Sequence, residues 1–113
     1  MHLIIAYIRP EKLNDVKQKL VEREIFKISV TNALGCGDER KYHEQYRGID
    51  VEVYLRQRVR LEIAVNEPYV QKTVDAIIEG GRTGEIGDGK IFVLALEDCI
   101  RIRTGDRGDP AIG

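Results

Sequence analysis

The sequence predicts a single domain of the α+β class, in which two helices cover one face of a four-stranded antiparallel sheet. Two patterns support this prediction. Apolar residues alternate with polar ones in some segments, as in strands, and recur every three or four positions in others, as in helices. In chain order these segments read β-α-β-β-α-β. The 113 residues suit one domain, and 42% hydrophobic residues supply one core and exclude a disordered chain.

The first half of the chain supplies a strand, a helix and a second strand. His2–Ile8 is a short apolar run that is typical of a buried strand. Pro10 suits a first helical turn, and the apolar residues after it recur at helical spacing: Leu13, Val16, Leu20 and Val21. Residues 25–34 alternate Phe, Ile and Val with Lys, Ser and Thr, which predicts the second strand.

The second half begins with a long strand and a second helix. Residues 51–65 alternate strictly, which predicts a third strand with a break near residues 56–58. Asn66 is the expected N-cap of the following helix, and Gly80-Gly81 is expected to end it. The apolar stripe of this helix consists of Val70, Val74, Ile77 and Ile78.

The chain ends with a fourth strand and a short extension. Residues 90–96 are apolar enough for a strand, and Ile100 and Ile102 then alternate with Arg101 and Arg103. In a strand, both arginines would project from the same face. The whole order is the split βαβ or ferredoxin-like arrangement.

Two features indicate more than a simple monomer. The sheet face without helices carries apolar residues that need a cover. The connection at residues 35–50 has 16 residues, against the hairpin norm of roughly 2–5. We therefore expect an oligomer that buries the second face and presents a long loop.

Composition excludes several classes of protein. A net charge of −1 argues against a basic nucleic-acid binder, and no apolar run approaches the ~20 residues of a spanning helix. The start of the chain does not resemble a secretory signal. Cys36 and Cys99 form no CxxC pair, so we expect the reducing cytoplasm. His2 and His43 share no metal-ligand spacing, and a site built from protein ligands alone is not predicted.

The strongest chemical motif is a glycine-rich loop. Residues 84–90 satisfy G-x-x-x-x-G-K, the front of a P-loop. However, the next residue is Ile91 where Ser or Thr should hold Mg²⁺, and the loop lies between a helix and a strand rather than the reverse. It is therefore not a Walker A site. Its glycines and Lys90 can still cradle a phosphate, and the alternative is an ordinary flexible turn.

Other segments carry weaker signals. Arg101-x-Arg103 would place two guanidinium groups side by side for phosphate or carboxylate, or else form a solvated strand edge. Gly35-x-Gly37 alone reads as a turn. Residues 44–50 are more typical of a surface that contacts a partner than of a catalytic pocket. No catalytic triad or buried carboxylate pair stands out, and Cys36 with His43 has no orienting third group.

Taken together, these segments resemble the P-II signal-transduction family, the nitrogen regulatory proteins, over essentially the whole chain. The most specific blocks are TGEIGDGKIF at residues 83–92 and IRIRTG at 100–105. Four shorter blocks agree: RPEKL at 9–13, GCG at 35–37, EQYRG at 44–48 and RLEIAV at 60–65.

The resemblance implies a homotrimeric regulator, not an enzyme, whose intersubunit clefts bind ATP and ADP in competition. It identifies residues 82–90 as the family's B-loop and 101–113 as its C-terminal segment. Arg101 and Arg103 would reach the phosphates from the neighbouring subunit, and Glu62 and Ala64 would wall the adenine. The implied nucleotide contacts within one subunit are Ser29, Gly35, Cys36, Gly37, Asp38, Glu62, Ala64, Gly87, Asp88, Gly89 and Lys90.

The resemblance also identifies residues 38–55 as the T-loop, which docks into target proteins. The target would be an ammonium transporter or an enzyme of nitrogen metabolism, with membrane association only through that partner. The residues expected to contact it are Tyr42, Glu44, Tyr46, Arg47, Ile49 and Val51.

Departures from the family pattern lie at the effector site. The family's sensors of 2-oxoglutarate usually have Gln where this chain has Glu39, which could still hold Mg²⁺ with ATP. Arg58 replaces the Lys that pairs with a 2-oxoglutarate carboxylate beside Gly87, and Asp38 replaces an Arg. Whether 2-oxoglutarate binds is therefore left open. Val51 and Ile49 stand where relatives carry the modified Tyr and Ser, so neither modification is expected there.

Three alternatives share the fold. A small phosphohydrolase would turn over ATP, and Lys90→Ala would abolish that turnover. A trimeric metal-tolerance protein would carry a metal that elemental analysis detects, although the sequence lacks a ligand cluster. A P-II-like protein could also sense a different effector.

Overall fold

The computed structural model describes residues 1–35 and 55–113. Four strands and two long helices appear in the predicted order. The strands are β1 (His2–Ile8), β2 (Ser29–Gly35), β3 (Arg56–Val65) and β4 (Lys90–Ala95). The helices are α1 (Leu13–Glu22), α2 (Val70–Gly81) and a final turn, α3 (Asp109–Ile112). Short 3-10 turns at Pro10–Lys12 and Glu67–Tyr69 lead into α1 and α2.

The strands form one antiparallel sheet in the order β2-β3-β1-β4. The central pair is in register, with Ile4 opposite Ile63 and Ile8 opposite Val59. This order confirms the ferredoxin-like arrangement. It also brings the end of β1 and the start of β3 beside the loop that precedes β4, where the candidate site lies.

The core fills the space between the sheet and the two long helices. Alternate residues of β1 and β3 point inward, as the period of a strand requires, and meet one stripe of each helix. Fully burying an aliphatic side chain of this kind stabilises the fold by about 1.5–3 kcal/mol. The core members are Ile4, Ala6, Ile8, Val59, Leu61, Ile63 and Val65 from the strands, Val16, Leu20, Ala76 and Ile77 from the helices, and Ile25 just after α1.

The opposite sheet face carries apolar side chains and no helix. Ile5 lies opposite Phe92, and Leu3 lies opposite Leu94, so the four side chains form one continuous patch. Phe92 and Leu94 remain 48% and 45% exposed. The uncovered apolar face that the sequence predicts is therefore present. No helix in the described part of the chain is long and apolar enough to cross a membrane.

The start of β2 differs from the sequence prediction. The strand begins at Ser29, whereas the alternation predicted a strand from residue 25. The N–H of Ile25 donates to the Leu20 carbonyl (2.9 Å), and Glu24 adopts a left-handed conformation (φ 61°). These residues end α1, so their backbone is not available to a ladder. Val21, which was predicted in the apolar stripe of α1, is 53% exposed.

The second helix also begins differently. Asn66 makes no capping hydrogen bond, and its side-chain amide instead donates to the Asp109 carbonyl (3.1 Å). Asn66 therefore occupies the predicted N-cap position, before the turn Glu67–Tyr69 that leads into α2, but its side chain does not cap the helix. Gly80 and Gly81 form the last turn of α2, which ends where the sequence predicted. β3 begins at Arg56, so Leu55 of the predicted strand is not part of it, and residues 51–54 lie outside the described residues. The predicted break near residues 56–58 is wrong, because these residues pair continuously with β2.

Candidate functional site

The candidate site is built around the loop at residues 82–89, which joins α2 to β4. Its organising group is the Asp88 carboxylate. Oδ2 accepts hydrogen bonds from the backbone N–H groups of Thr83 (2.8 Å) and Gly84 (2.9 Å). Oδ1 accepts from the Thr83 hydroxyl and from Arg9 Nε (3.0 Å). The start of the loop is thus tied to its end and to the end of β1.

These donors keep Asp88 ionised. The hydrogen bond from the Thr83 hydroxyl lowers the pKa of the Asp88 carboxyl most. Burial raises this pKa by less, and the two backbone N–H groups and Arg9 each lower it further. The pKa is held well below its usual range. Both carboxylate oxygens already accept hydrogen bonds from the protein. A direct contact of Asp88 with a nucleotide stays a prediction.

Glycine is required at two positions of the loop. Gly89 has a φ of 98°, and a Cβ there would lie 1.7 Å from the Tyr7 carbonyl oxygen. Gly87 has a φ of 106°, a conformation that other residues rarely adopt. The backbone at Gly89, just before β4, therefore packs directly on β1. At Gly87 no side chain covers the backbone, which stays open to a ligand.

Cationic side chains lie next to Gly87, although the Asp88 carboxylate offsets the charge of one of them, Arg9. Arg9 Nη2 donates to the Ile86 carbonyl (3.0 Å). From the point where a Gly87 Cβ would lie, Arg9 Nη2 is 3.2 Å away and Arg58 Nη2 is 3.6 Å away. Lys90 is exposed at the start of β4, and its ammonium makes no hydrogen bond or ion pair within residues 1–35 and 55–113. Glycines and cations therefore meet at one end of the sheet.

Arg9 is the site residue that sequence reasoning missed. It appeared only as part of a family-like block at the end of β1. The available signal was its place directly before Pro10, where a strand ends, combined with the antiparallel pairing of β1 and β4 that brings Tyr7 opposite Lys90.

The other predicted contacts in the same subunit lie along the uncovered face. Ser29 pairs with Glu62 across β2 and β3, and Ala64 lies two positions further along β3. Glu62 forms an ion pair with Arg60 (2.8 Å). Gly35 ends β2 within reach of Arg58, whose Cγ would be 3.8 Å from a Gly35 Cβ. From Arg58 to Ala64, β3 extends about 20 Å, so these residues follow one strand rather than a closed cavity.

Beside Arg58 there is a small open cavity. Its volume is about 290 Å³. It lies between the end of β2, the start of β3 and the turn that follows β1. Its lining residues are Pro10, Asn32, Ala33, Leu34, Gln57 and Arg58.

The predicted extension with Arg101 and Arg103 on one face is wrong. The only strand-like pairing among the described residues after β4 is an isolated bridge between Ile100 and Arg107, and the Gly105 N–H donates to the Arg101 carbonyl (2.7 Å) to close a turn. The Arg101 guanidinium donates to the Pro110 carbonyl (3.0 Å) and pairs with Asp106 (3.4 Å). Arg103 is exposed, and its side chain contacts no polar group within the described ranges.

The remaining predicted residues lie outside the described residues. They are Cys36, Gly37, Asp38 and Glu39 of the nucleotide and effector sites, and Tyr42, Glu44, Tyr46, Arg47, Ile49 and Val51 of the partner-binding segment. Cys99 is a free, half-buried thiol. Among residues 1–35 and 55–113, no cluster of three or more His, Cys, Asp or Glu could hold a metal ion.

Comparison with known proteins identifies the family. The family model described as nitrogen regulatory protein P-II matches residues 1–106. The chain belongs to the P-II family. It is 42% identical over 99% of its length to nitrogen regulatory protein GlnK1 of Methanosarcina mazei, which it covers to 97%. It is 44% identical to the P-II protein of Rhodospirillum rubrum, over 99% of this chain and 100% of that protein.

A solved structure supports the same assignment. The crystal structure of Arabidopsis thaliana PII bound to citrate aligns with a TM-score of 0.79 and 35% identity, over 98% of this chain and 88% of that one. Both the resemblance to the P-II family and the ferredoxin-like fold are therefore confirmed. P-II proteins are signal-transduction regulators of nitrogen metabolism rather than enzymes.

Proposed function

We propose that this P-II protein reports nitrogen and energy status by binding ATP or ADP in the clefts of a homotrimer. The bound nucleotide sets the conformation of the T-loop, residues 38–55, and the T-loop then sets the affinity for a target protein. ATP and ADP can shift the equilibrium between T-loop conformations only by the difference in their affinities for those conformations. The proposed target is an ammonium transporter or an enzyme of nitrogen metabolism, in the cytoplasm.

The observation that carries this proposal is the preformed loop before β4. Gly87 and Gly89 hold positive φ angles in a loop closed by Asp88, and Lys90 adds a cation with no partner among the described residues. Glycine backbones with nearby cations are the usual cradle of a polyphosphate. Micromolar affinity corresponds to about −8 kcal/mol, which several such contacts can supply.

The uncovered sheet face supports the trimer. A nucleotide held by one loop alone would be largely exposed, whereas a neighbouring subunit packed on this face brings further groups to the cleft. Arg103 is available for this role because its side chain is exposed and contacts no polar group within the described ranges. Arg101 would first have to leave Pro110 and Asp106.

The same end of the sheet could also accept a carboxylate effector. Arg58 lies beside Gly87 and also lines the small cavity between β2 and β3, so a dicarboxylate such as 2-oxoglutarate has a cationic partner. The related Arabidopsis protein is described as bound to citrate, another multivalent carboxylate. We include 2-oxoglutarate in the proposal, with Mg²⁺ bound through ATP and Glu39.

Calorimetry tests the nucleotide site. We expect the parent to bind ATP and ADP with micromolar affinity, and Lys90→Ala to weaken ATP binding by about tenfold or more, since a charge-assisted contact is lost. Arg103→Ala should weaken ATP binding similarly. It should leave the C-terminal turn intact, whereas Arg101→Ala would disturb that turn. Lys17→Ala on α1 is the matched control and should bind like the parent. A parent that produces no heat with either nucleotide, or Lys90→Ala that binds like the parent, would refute the assignment.

A second titration tests the effector. 2-Oxoglutarate is added to the parent with and without Mg-ATP, and Arg58→Ala is compared. Heat only with Mg-ATP in the parent, and none with Arg58→Ala, supports the carboxylate site. The absence of heat from the parent in both conditions removes 2-oxoglutarate from the proposal and leaves the nucleotide site untouched.

A further inference from the structure

Arg9 connects two parts of the fold that are far apart in sequence. It lies at the end of β1, and its guanidinium reaches the loop before β4. Nε donates to Asp88 Oδ1 (3.0 Å), and Nη2 donates to the Ile86 carbonyl (3.0 Å). The side chains of Arg9 and Asp88 are only 23% and 24% exposed. This fork is therefore a partly buried, directional contact and not a solvated surface pair.

We propose that Arg9 and Asp88 act as a pair of positioning residues, which hold the backbone of residues 83–89 in its ligand-binding conformation before the nucleotide arrives. This inference rests on the proposed function. This role requires no contact of either side chain with the phosphates, including the contact that the family resemblance implies for Asp88. Their contribution to affinity is the ordering of a glycine-rich segment.

The loop needs such an anchor because glycine has many accessible conformations. Each unrestrained residue loses conformational entropy when it is fixed, and glycine loses the most. Asp88 fixes the start of the loop through the N–H groups of Thr83 and Gly84. Gly89 fixes its end against the Tyr7 carbonyl. Gly87 lies between these points, and the nearest contact that restrains its neighbour Ile86 is the one from Arg9.

Charge separates the roles of Arg9 and Lys90. The Asp88 carboxylate lies against Arg9 and offsets its charge, so the pair adds little net positive potential at Gly87. Lys90 has no such partner within residues 1–35 and 55–113. Lys90 therefore suits direct attraction of a phosphate, and Arg9 suits positioning.

A double-mutant cycle measured by ATP calorimetry tests the pair. We expect Arg9→Ala and Asp88→Ala each to weaken ATP binding about tenfold. The double variant should bind ATP no more weakly than the single variant with the lower affinity, because the two residues act as a unit. Arg9→Ala combined with Lys90→Ala should instead show losses that multiply. Arg23→Ala is the matched control. Arg23 also bridges a carboxylate, Glu79 (2.6 Å), and a carbonyl, that of Lys19 (3.1 Å), at the same 23% exposure but far from the loop.

Arg9→Lys and backbone hydrogen exchange separate positioning from direct contact. Lysine keeps the charge but cannot bridge Asp88 and the Ile86 carbonyl as a fork. We therefore expect Arg9→Lys to lose affinity and, without any nucleotide, to show faster exchange of the amides of residues 83–89 while those of β3 stay unchanged. If Arg9→Lys binds like the parent, or the losses in Arg9→Ala and Asp88→Ala multiply, the positioning role is overturned.

The outcomes also separate this inference from the proposed function. A parent that does not bind ATP refutes the nucleotide site, and faster loop exchange in Arg9→Ala would then still support the ordering of the loop. A parent that binds ATP, with unchanged affinity and exchange in Arg9→Ala, refutes only the positioning pair.

Discussion

At the scale of single residues, Gly89 makes the sharpest demand on the sequence. Its φ is 98°, and a Cβ there would lie 1.7 Å from the backbone oxygen of Tyr7. Because that obstacle is backbone, it cannot rotate away. We expect Gly89→Ala to reduce the free energy of unfolding by about 3 kcal/mol or more. Urea denaturation at fixed protein concentration measures this loss.

Gly84 provides the matched control for Gly89. It also has a positive φ, 90°, but a Cβ there would have open space around it. Gly84→Ala therefore carries only the conformational penalty, about 1 kcal/mol. Equal losses in the two variants would show that the contact with Tyr7 does not form as described.

Asp88 should make the loop sensitive to acid. Its pKa is lowered in the folded protein, chiefly by the Thr83 hydroxyl, from the ordinary value of 3.8. The unfolded chain therefore binds a proton at higher pH than the folded one. The stabilising contribution of Asp88 is full above about pH 5 and declines as the pH falls below about 4.

The comparison with Asp88→Asn isolates this effect from the other carboxylates. We expect the parent to exceed Asp88→Asn in free energy of unfolding at pH 7, and this difference to shrink steadily between pH 5 and pH 3. Urea denaturation at several pH values measures it. A difference that stays constant over this range would contradict the ionised state of Asp88 described above.

At the scale of elements, α1 and α2 approach each other through a glycine. A Cβ on Gly80 would lie 2.6 Å from the Val16 Cα and 2.8 Å from its backbone nitrogen, so the side chain would force the helices apart. We expect Gly80→Ala to destabilise the protein by about 2–4 kcal/mol. Thermal or urea unfolding monitored by circular dichroism measures the loss.

The neighbouring glycine should behave in the opposite way. A Cβ on Gly81 would make ordinary contacts of 3.6 Å and 3.7 Å with side-chain methyl groups of Val16 and Ile8. Gly81→Ala should therefore be neutral or stabilise the protein by about 0.5–1 kcal/mol through the better helix propensity of alanine. A loss as large as that of Gly80→Ala would contradict the helix packing.

Elements with strong periodicity were predictable from the sequence, whereas several of their ends were not. β1, α1 and α2 follow from apolar spacing because one face of each is buried. β4 follows from its apolar run alone, since only Ile91 in it is partly buried. The alternation at residues 25–28 resembled strand, but Ile25 is used to end α1 and residues 26–28 form the connection to β2. Likewise, Arg101 and Arg103 alternate with isoleucines, yet no neighbouring strand pairs with them in the described structure. Alternation predicts a strand only where the tertiary structure provides a partner for its backbone.

The candidate site was predictable to the extent that its residues adjoin in sequence. Gly87, Gly89 and Lys90 belong to one motif, and the cradle they form follows from glycine and charge. Arg9 is 79 residues away from Asp88, and only the pairing of β1 with β4 brings the two together. Asp88 was expected at the nucleotide, but its structural role depends on Thr83 and on that distant arginine.

At the scale of the whole molecule, the uncovered sheet face is the feature that a monomer explains least. Leu3, Ile5, Phe92 and Leu94 form a continuous apolar patch, and such patches on soluble domains usually mark an interface. The proposed trimer would bury this patch and bring Arg103 of one subunit towards the loop of another. The assembly and the nucleotide site are therefore linked in the proposal.

Leu94→Lys tests that link because it places a charge in the patch without touching the core or the loop. We expect the parent to have three times the monomer mass by light scattering, and Leu94→Lys to have the monomer mass at micromolar concentration with weakened ATP binding. Val21→Lys is the control, since Val21 is 53% exposed on α1, on the other side of the sheet. It should remain trimeric. A monomeric parent would refute the trimer, and a monomeric Leu94→Lys that binds ATP like the parent would show that one subunit suffices for the site.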